Sequence, residues 1–348
     1  MKNKTKVEIW GVYPPPVGGI SAYCNKLAGA LHVMDESVIL KNFARSRSRC
    51  DYVKDVRCRL LEILKLPFVS RRIIHVQLCN VWFLTSLYLT GWRHDIVITL
   101  HNRKLLLLKG WKERIVRRFL SRACAVIFND PQFVDLLAAK YGIDRSVMTV
   151  LPTYIPPTES ERRGLPDDMT SFFSKHRYTI STNASILQRN VWGDVYGFDQ
   201  IIGMMDILVN RKGMDVGLLF LFSILGDREY FDQCVERISS LGLSDRFMLV
   251  IGSDVNGFEV WEKSDLFVRA TNSDMEGISV KEALQFGTPV VASDVCTRPA
   301  EAVLYHKGDV EELAQKCADA LESGKHVDYH PQADVPGKVM EIYNLIRG

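Results

Sequence analysis

Short apolar runs alternating with helix-length stretches constrain this chain more than any other feature of its sequence. In the first half the strand candidates are Val7–Val12, Val38–Phe43, Ile73–Cys79, Ile96–Leu100, Ala125–Phe128 and Met148–Leu151. In the second half they are Tyr178–Ser181, Gly217–Ser223, Phe247–Ile251, Leu266–Arg269 and Pro289–Ala292. Continuous apolar runs of this length suit strands buried on both faces, as in parallel sheets. The helical stretches between them then serve as right-handed crossovers. With 348 residues the chain exceeds one ordinary domain. Between the halves lies IPPTESERRGLPDDMTSFFSKH, residues 155–176, polar and carrying three prolines, which reads as a linker. The expected fold class is α/β: two doubly wound, Rossmann-like parallel-sheet domains facing a cleft. They span 1–154 and 177–335, with a closing helix at 336–348. Ligands of such sheets sit beyond the carboxyl ends of the strands, so residues at strand ends carry most of the functional information.

Charge separates the halves. Residues 1–150 hold 25 Lys and Arg against 11 Asp and Glu, whereas residues 151–348 hold 19 against 30. A basic lobe suits an anionic acceptor or a membrane surface. Nucleic acid is not expected, because the basic residues are not interleaved with a binding motif. No segment reaches the roughly 18 unbroken apolar residues of a membrane span; Val81–Trp92 and Val216–Leu225 come nearest. The start, MKNKTKVEIWGVY, has only a strand-length apolar run and does not read as a secretory signal. Eight cysteines without a C-x-x-C pair read as reduced core residues of a cytoplasmic protein.

The stretch SDMEGISVKEALQFGTPVVASDV, residues 273–295, is the densest in chemistry. It follows the strand LFVRAT and places Asp274 and Glu282 eight positions apart. Ser279 and Glu282 form an S-x-x-E capping-box pattern, so Glu282 has a purely structural reading. The same geometry has a functional one. A helix N-terminus after a strand offers N–H groups and a positive dipole to a phosphate. Gly277 lets the backbone approach a ligand. Glu282, one turn in, suits vicinal hydroxyls such as those of a ribose. Asp274, on the loop before, would meet a group beyond the phosphates. A phosphate between two hydroxyl-binding acids describes a sugar nucleotide.

The run SDLFVRATNSDMEGISVKEALQFGTPVVASDV resembles the donor-site signature of family 4 glycosyltransferases, retaining enzymes of the GT-B fold. Asp274 and Glu282 fit that family's acid, seven residues, acid spacing. Asp in place of the usual first Glu resembles a subset acting in bacterial surface polysaccharide synthesis. Glu276 offers an alternative register for the sugar-side acid. VYPPPVGGISAY, with Gly18 and Gly19, resembles the family's loop facing acceptor and diphosphate, and His101 in VITLHN stands where the family commonly has a His near the donor sugar. TNASILQRNVWGDVYGF departs from the pattern. Arg189 matches an expected Arg, but Tyr196-Gly197 replaces a Lys-Gly pair that would hold the diphosphate.

The resemblance implies transfer of a glycosyl group from a nucleotide sugar, UDP- or GDP-linked, to a saccharide or lipid-linked glycan with retention. It implies no cofactor, and without a D-x-D motif no metal is expected. Asp274, His101 and Glu282 would be the catalytic set, with Glu282 on the ribose and Asp274 on sugar hydroxyls. Asn183, Arg189, Arg269, Thr271, Gly277 and Ile278, the amides of Ser279 and Val280, and the Gly18–Gly19 loop would complete the donor site. Arg269 has a second reading, as partner of Asp265 or Asp274. The alternatives are a catalytically degenerate scaffold subunit, or another GT-B enzyme such as a sugar-nucleotide epimerase. In NRKLLLLKGWKERIVRRFLSRA, residues 102–123, Trp111, Ile115, Phe119 and Leu120 fall along one side of a basic helix. That helix suits either an anionic membrane face, making the protein peripheral, or a core-packed position with a solvated basic side.

Overall fold

The computed structural model describes residues 5–15, 19–48, 50–101, 103–128, 131–158, 161–191, 193–252, 255–274, 277–324, 326–330 and 333–348. The chain divides into two compact units, Met1–Ile155 with Gln332–Gly348, and Pro156–Pro331.

The first unit begins β1 (Val7–Gly11), α1 (Gly19–Met34), β2 (Val38–Asn42), β3 (Val53–Asp55), α2 (Arg59–Leu64), β4 (Ile73–Val76), α3 (Val81–Thr90) and β5 (Asp95–Leu100). It continues with α4 (Trp111–Leu120), β6 (Ala125–Phe128), α5 (Pro131–Tyr141) and β7 (Met148–Val150). Its seven strands lie in the order β3-β2-β1-β4-β5-β6-β7, all parallel. Strands β1, β4 and β6 are buried on both faces, which is why their sequences are mostly apolar instead of alternating. One face packs Val7, Ile9 and Leu40 against Leu27 and Leu31 of α1. The other packs Trp10, Ile74 and Val126 against Leu84 and Leu87 of α3 and Val116, Phe119 and Leu120 of α4. Phe119 and Leu120 thus face the core, so of the two readings of this basic helix the packed one accounts for its apolar side.

The second unit holds α6 (Asp167–Lys175), β8 (Tyr178–Ile186), a hairpin of β9 (Arg189–Asn190) and β10 (Gly193–Asp194), α7 (Phe198–Asp206), β11 (Val216–Ile224) and α8 (Arg228–Ser240). Then come β12 (Phe247–Ile251), α9 (Gly257–Lys263), β13 (Leu266–Arg269), α10 (Ile278–Gln285), β14 (Val290–Ser293), β15 (Val303–Tyr305) and α11 (Val310–Ser323). The six-stranded sheet runs β12-β11-β8-β13-β14-β15, again all parallel. The last helix, α12 (Val335–Arg347), belongs to the first unit. It buries Val339 and Tyr343 beside α1, and Arg347 pairs with Asp35 at 2.8 Å.

Three sequence expectations are corrected. The stretch 155–176 is not linker throughout: α6 lies within it and buries Met169 in the second unit's core. Its prolines precede the helix, and Pro166 stands at the N-cap. Strands β3 and β15 went unread because each is only three residues long and partly exposed. The eight cysteines form no disulfide, but Cys58 and Cys124 are exposed and are not core residues.

Candidate functional site

In the second unit β8 and β13 are neighbours, yet the chain continues from β8 toward β11 and from β13 toward β14. Loops that part in this way open a crevice at the carboxyl ends of the strands. The described residues singled out in the second half of the sequence lie on these two strands, on their loops, or on α10 just beyond.

Asp274 is the hub. Its Oδ2 accepts from Arg269 Nε at 3.0 Å and from Arg298 Nη1 at 3.0 Å, and Thr271 Oγ1 lies at 3.4 Å. Arg269 also donates Nη1 to the Asn183 side-chain oxygen at 2.9 Å and to its carbonyl at 3.1 Å. The Arg298 side chain is wholly enclosed. It donates Nη2 to Thr271 Oγ1 at 3.2 Å and Nε to the Ser293 carbonyl at 3.3 Å. Two guanidinium groups against one carboxylate leave the cluster with a net positive charge. Burial pushes the Asp274 carboxyl up, but Arg269 and Arg298 outweigh it and hold the group down at about 2. Of the two readings of Arg269, the ion pair with Asp274 is present.

Gly277 heads α10 in the left-handed region, with φ at 62°. A Cβ on it would come within 2.1 Å of Arg298 Nη1. The sequence suggested that this glycine admits a ligand; the atoms it admits are the protein's own arginine. The capping box is also corrected. Gly277, not Ser279, is the N-cap, and Glu282 Oε2 accepts from Trp261 Nε1 at 3.4 Å. The Val280 amide is already bonded to the Gly277 carbonyl at 2.9 Å and its side chain lies in the core, so it is withdrawn as a phosphate donor. Ile278 and Ser279 head the helix, where amides lack intrahelical partners.

The Tyr196-Gly197 departure has a physical account. Gly197 has φ at 68°, and a Cβ there would strike the Ala270 carbonyl oxygen at 2.0 Å. The loop after β8 therefore closes onto the end of β13. Tyr196, its hydroxyl 2.5 Å from Ser185 Oγ, lies under the Arg269 guanidinium at 5.1 Å, a cation–π distance. A cation missing at position 196 is thus replaced by one stacked upon it. Asp194 holds the loop by accepting from the amides of Tyr196 at 2.9 Å and Phe198 at 2.6 Å, and burial raises its carboxyl. Arg189 is not brought to Asp274 by any described contact. It pairs with Asp227 at 3.0 Å and lies over the Tyr230 ring at 4.7 Å.

The first unit has its own switch point, between β1 and β4. His101 follows β5, packs against the Tyr23 ring at 5.1 Å, and bonds through Nε2 to Gln77 Oε1 at 2.6 Å. An amide oxygen only accepts, so the proton lies on His101 Nε2. Gln77 donates its amide to His75 Nε2 at 3.1 Å, and His75 Nδ1 meets the Tyr343 hydroxyl of α12 at 2.6 Å. Burial, with the charge of His101, pushes His75 down to about 3, so it is neutral and fixes the direction of the chain. Gly19 is the first residue of α1, and a Cβ there would meet nothing within 4 Å among the described atoms. Gly18 and Glu276 lie outside the described residues.

Sequence reasoning missed Arg298, Asp194, Gln77, His75 and Tyr343. Arg298 is 24 residues from Asp274 in a turn without periodicity, and no spacing signal links the two. The isolated polar residues at the end of β4, His75 and Gln77 among apolar neighbours, were the one signal available for the other relay.

Comparison with known proteins bears on the fold. The model of Glycosyltransferase Family 4 matches residues 17–159, and that of Glycosyl transferases group 1 matches residues 182–333. Mannosylfructose-phosphate synthase from Agrobacterium fabrum is 27% identical over 210 residues, which are 53% of this chain and 41% of that protein. A glycosyltransferase from Rickettsia africae superposes with a TM-score of 0.68 at 14% identity, covering 99% of this chain and 93% of the other. The Anabaena protein HepE, solved with UDP and glucose, also gives 0.68 at 14% identity, covering 98% of each. A glycosyltransferase family model matches within each unit, and the glycosyltransferase structures similar along almost the whole length of the chain share its fold, the two-domain GT-B fold.

Proposed function

We propose that the protein transfers a glycosyl group from a UDP- or GDP-linked sugar to a saccharide or lipid-linked saccharide, with retention, in assembly of a bacterial surface polysaccharide. The observation that carries the donor assignment is Asp274 clamped between Arg269 and Arg298 at the head of α10. Departure of a nucleoside diphosphate builds negative charge on the leaving oxygens. Fixed cations and dipoles aimed there lower the barrier without reorganising. Arg269 and the amides of Ile278 and Ser279 supply that field. Asp274 and Tyr196 keep the guanidinium in place, an effect of positioning. Glu282, on the same helix, takes the ribose hydroxyls. Asp274 also orients the sugar, and His101 takes a sugar contact on the strength of the resemblance. The complex of HepE with UDP and glucose supports a nucleotide-sugar donor of this kind. The polysaccharide role rests on the resemblance of the 265–299 stretch.

The experiment is nucleotide release from UDP- and GDP-sugars, followed by coupled detection, with the anomeric configuration of any transferred sugar read by NMR. Wild type releases nucleotide from one donor, whereas Arg269→Met and Glu282→Ala lose at least tenfold in kcat/KM. Activity abolished by a chelator and restored by manganese would contradict the metal-independent part. Equal rates in both variants would remove the donor assignment.

A further inference from the structure

The first unit carries a surface that its own core does not explain. Helix α3, VWFLTSLYLT, has no charged residue. Leu84 and Leu87 are buried beneath it, yet Trp82 is 66% exposed and Leu89 67%. A helix apolar all round normally has a partner on its outer side too. The exposed apolar surface continues beyond α3 in both directions. Trp82 meets Trp111 at the start of α4, their ring centroids 5.4 Å apart. At the other end Arg93, next to exposed Trp92, donates to the Pro67 carbonyl at 3.0 Å, and the neighbouring Phe68 is 87% exposed. Leu61, on the neighbouring α2, is 65% exposed. Adjoining large apolar side chains on a surface mark an interaction site.

The charge around this surface selects the partner. Residues 57–122 contain 14 Lys and Arg and only three Asp and Glu. All three acids are already neutralised: Glu62 by Lys41 and Lys65, Asp95 by Arg71, and Glu113 by Arg117 and Lys140. Arg93 lies over the Trp92 ring at 5.8 Å and Lys112 over Trp111 at 5.7 Å, so cation and aromatic stand side by side. Exposed tryptophans beside basic residues match the interface of an anionic bilayer. There indole rings sit at headgroup depth and Lys and Arg meet lipid phosphate. Among the described residues no helix is long and apolar enough to cross a membrane, so contact would be in the plane of the surface. We propose that the outer face of α2, the Leu66–Phe68 turn, α3 and the start of α4 docks on an anionic lipid bilayer. This is independent of the donor chemistry, and it places the apolar contact on α3 and its neighbours instead of on the core-packed side of α4.

The test is flotation of the full chain with vesicles of phosphatidylcholine alone and of phosphatidylcholine mixed with phosphatidylglycerol. Wild type floats only with the mixed vesicles, and its tryptophan emission shifts to the blue. Arg114→Ala with Arg118→Ala, both exposed positions, lowers the partition coefficient by roughly fivefold per residue. Leu61→Ser with Phe68→Ser and Trp92→Ser removes flotation while the melting temperature and nucleotide binding stay unchanged. Absence of flotation, or flotation unaffected by either variant set, overturns the proposal. So does a concentration-dependent dimer that the serine variants abolish while vesicles capture nothing, which would assign the face to a second copy of the chain.

Discussion

Replacing Arg298 with Met tests whether the Asp274 cluster is the structural keystone of the second unit. The methionine fills much of the same volume and removes only charge and donors. An aspartate held at about 2 instead of near 4 is worth about 2–3 kcal/mol at neutral pH. If the two arginines share that equally, Arg298 supplies about half of it. Its bonds to Thr271 and Ser293 add about 1 kcal/mol each. The total, about 3 kcal/mol, sits at the lower end of what breaking a buried ion pair costs. For a unit of this size, that lowers the melting temperature by roughly 6–12 °C. Differential scanning calorimetry of the second unit's transition reads it. The same substitution in an Asp274→Asn background should cost at least about 1 kcal/mol less, because the carboxylate it neutralises is gone. A shift under about 2 °C, or an equal penalty in both backgrounds, would refute the reasoning.

Other perturbations probe the remaining elements. Gly197→Ala forces a side chain into a left-handed position against the Ala270 carbonyl, and should destabilise the second unit by more than about 2 kcal/mol in urea unfolding. Gln77→Leu removes the Gln77 oxygen that accepts from His101 Nε2 and should lower kcat several-fold with little change in KM for the donor, read by steady-state kinetics. The His75 ring stays neutral in the fold down to about 3, while in the unfolded chain it takes a proton near 6.5. The unfolded state then binds more protons, so the first unit loses stability as pH falls from about 6.5 to about 3. Chemical denaturation across that window should show a slope that His75→Gln flattens.

Much of this was legible in the sequence for a physical reason. Parallel strands buried on both faces announce themselves as apolar runs, and all eleven candidate runs begin at, or within one residue of, an observed strand start. Asp274 stood out because it follows β13, where the sheet topology opens a crevice. The failures share a different cause. Arg298 and Tyr343 act through tertiary contacts 24 or more residues away, and such contacts leave no local period. Ser279 was misread as a cap because S-x-x-E spacing does not reveal that the turn before it is left-handed at Gly277. The basic helix at 111–120 shows the limit of pattern alone. Its apolar stripe was visible, but only packing shows that Phe119 and Leu120 face inward while Trp111 stays exposed beside Trp82 of α3.

The most direct test of the central claim is a thermal-shift panel of UDP, GDP, ADP, CMP and dTDP on wild type and Glu282→Ala. A ligand present at 100 times its dissociation constant stabilises by about 2.7 kcal/mol, a shift of several degrees for a unit of this size. The account predicts that UDP or GDP alone stabilises the wild type and that the shift is lost in Glu282→Ala. A flat panel, or an equal shift in wild type and variant, would contradict the placement of the donor nucleotide on α10.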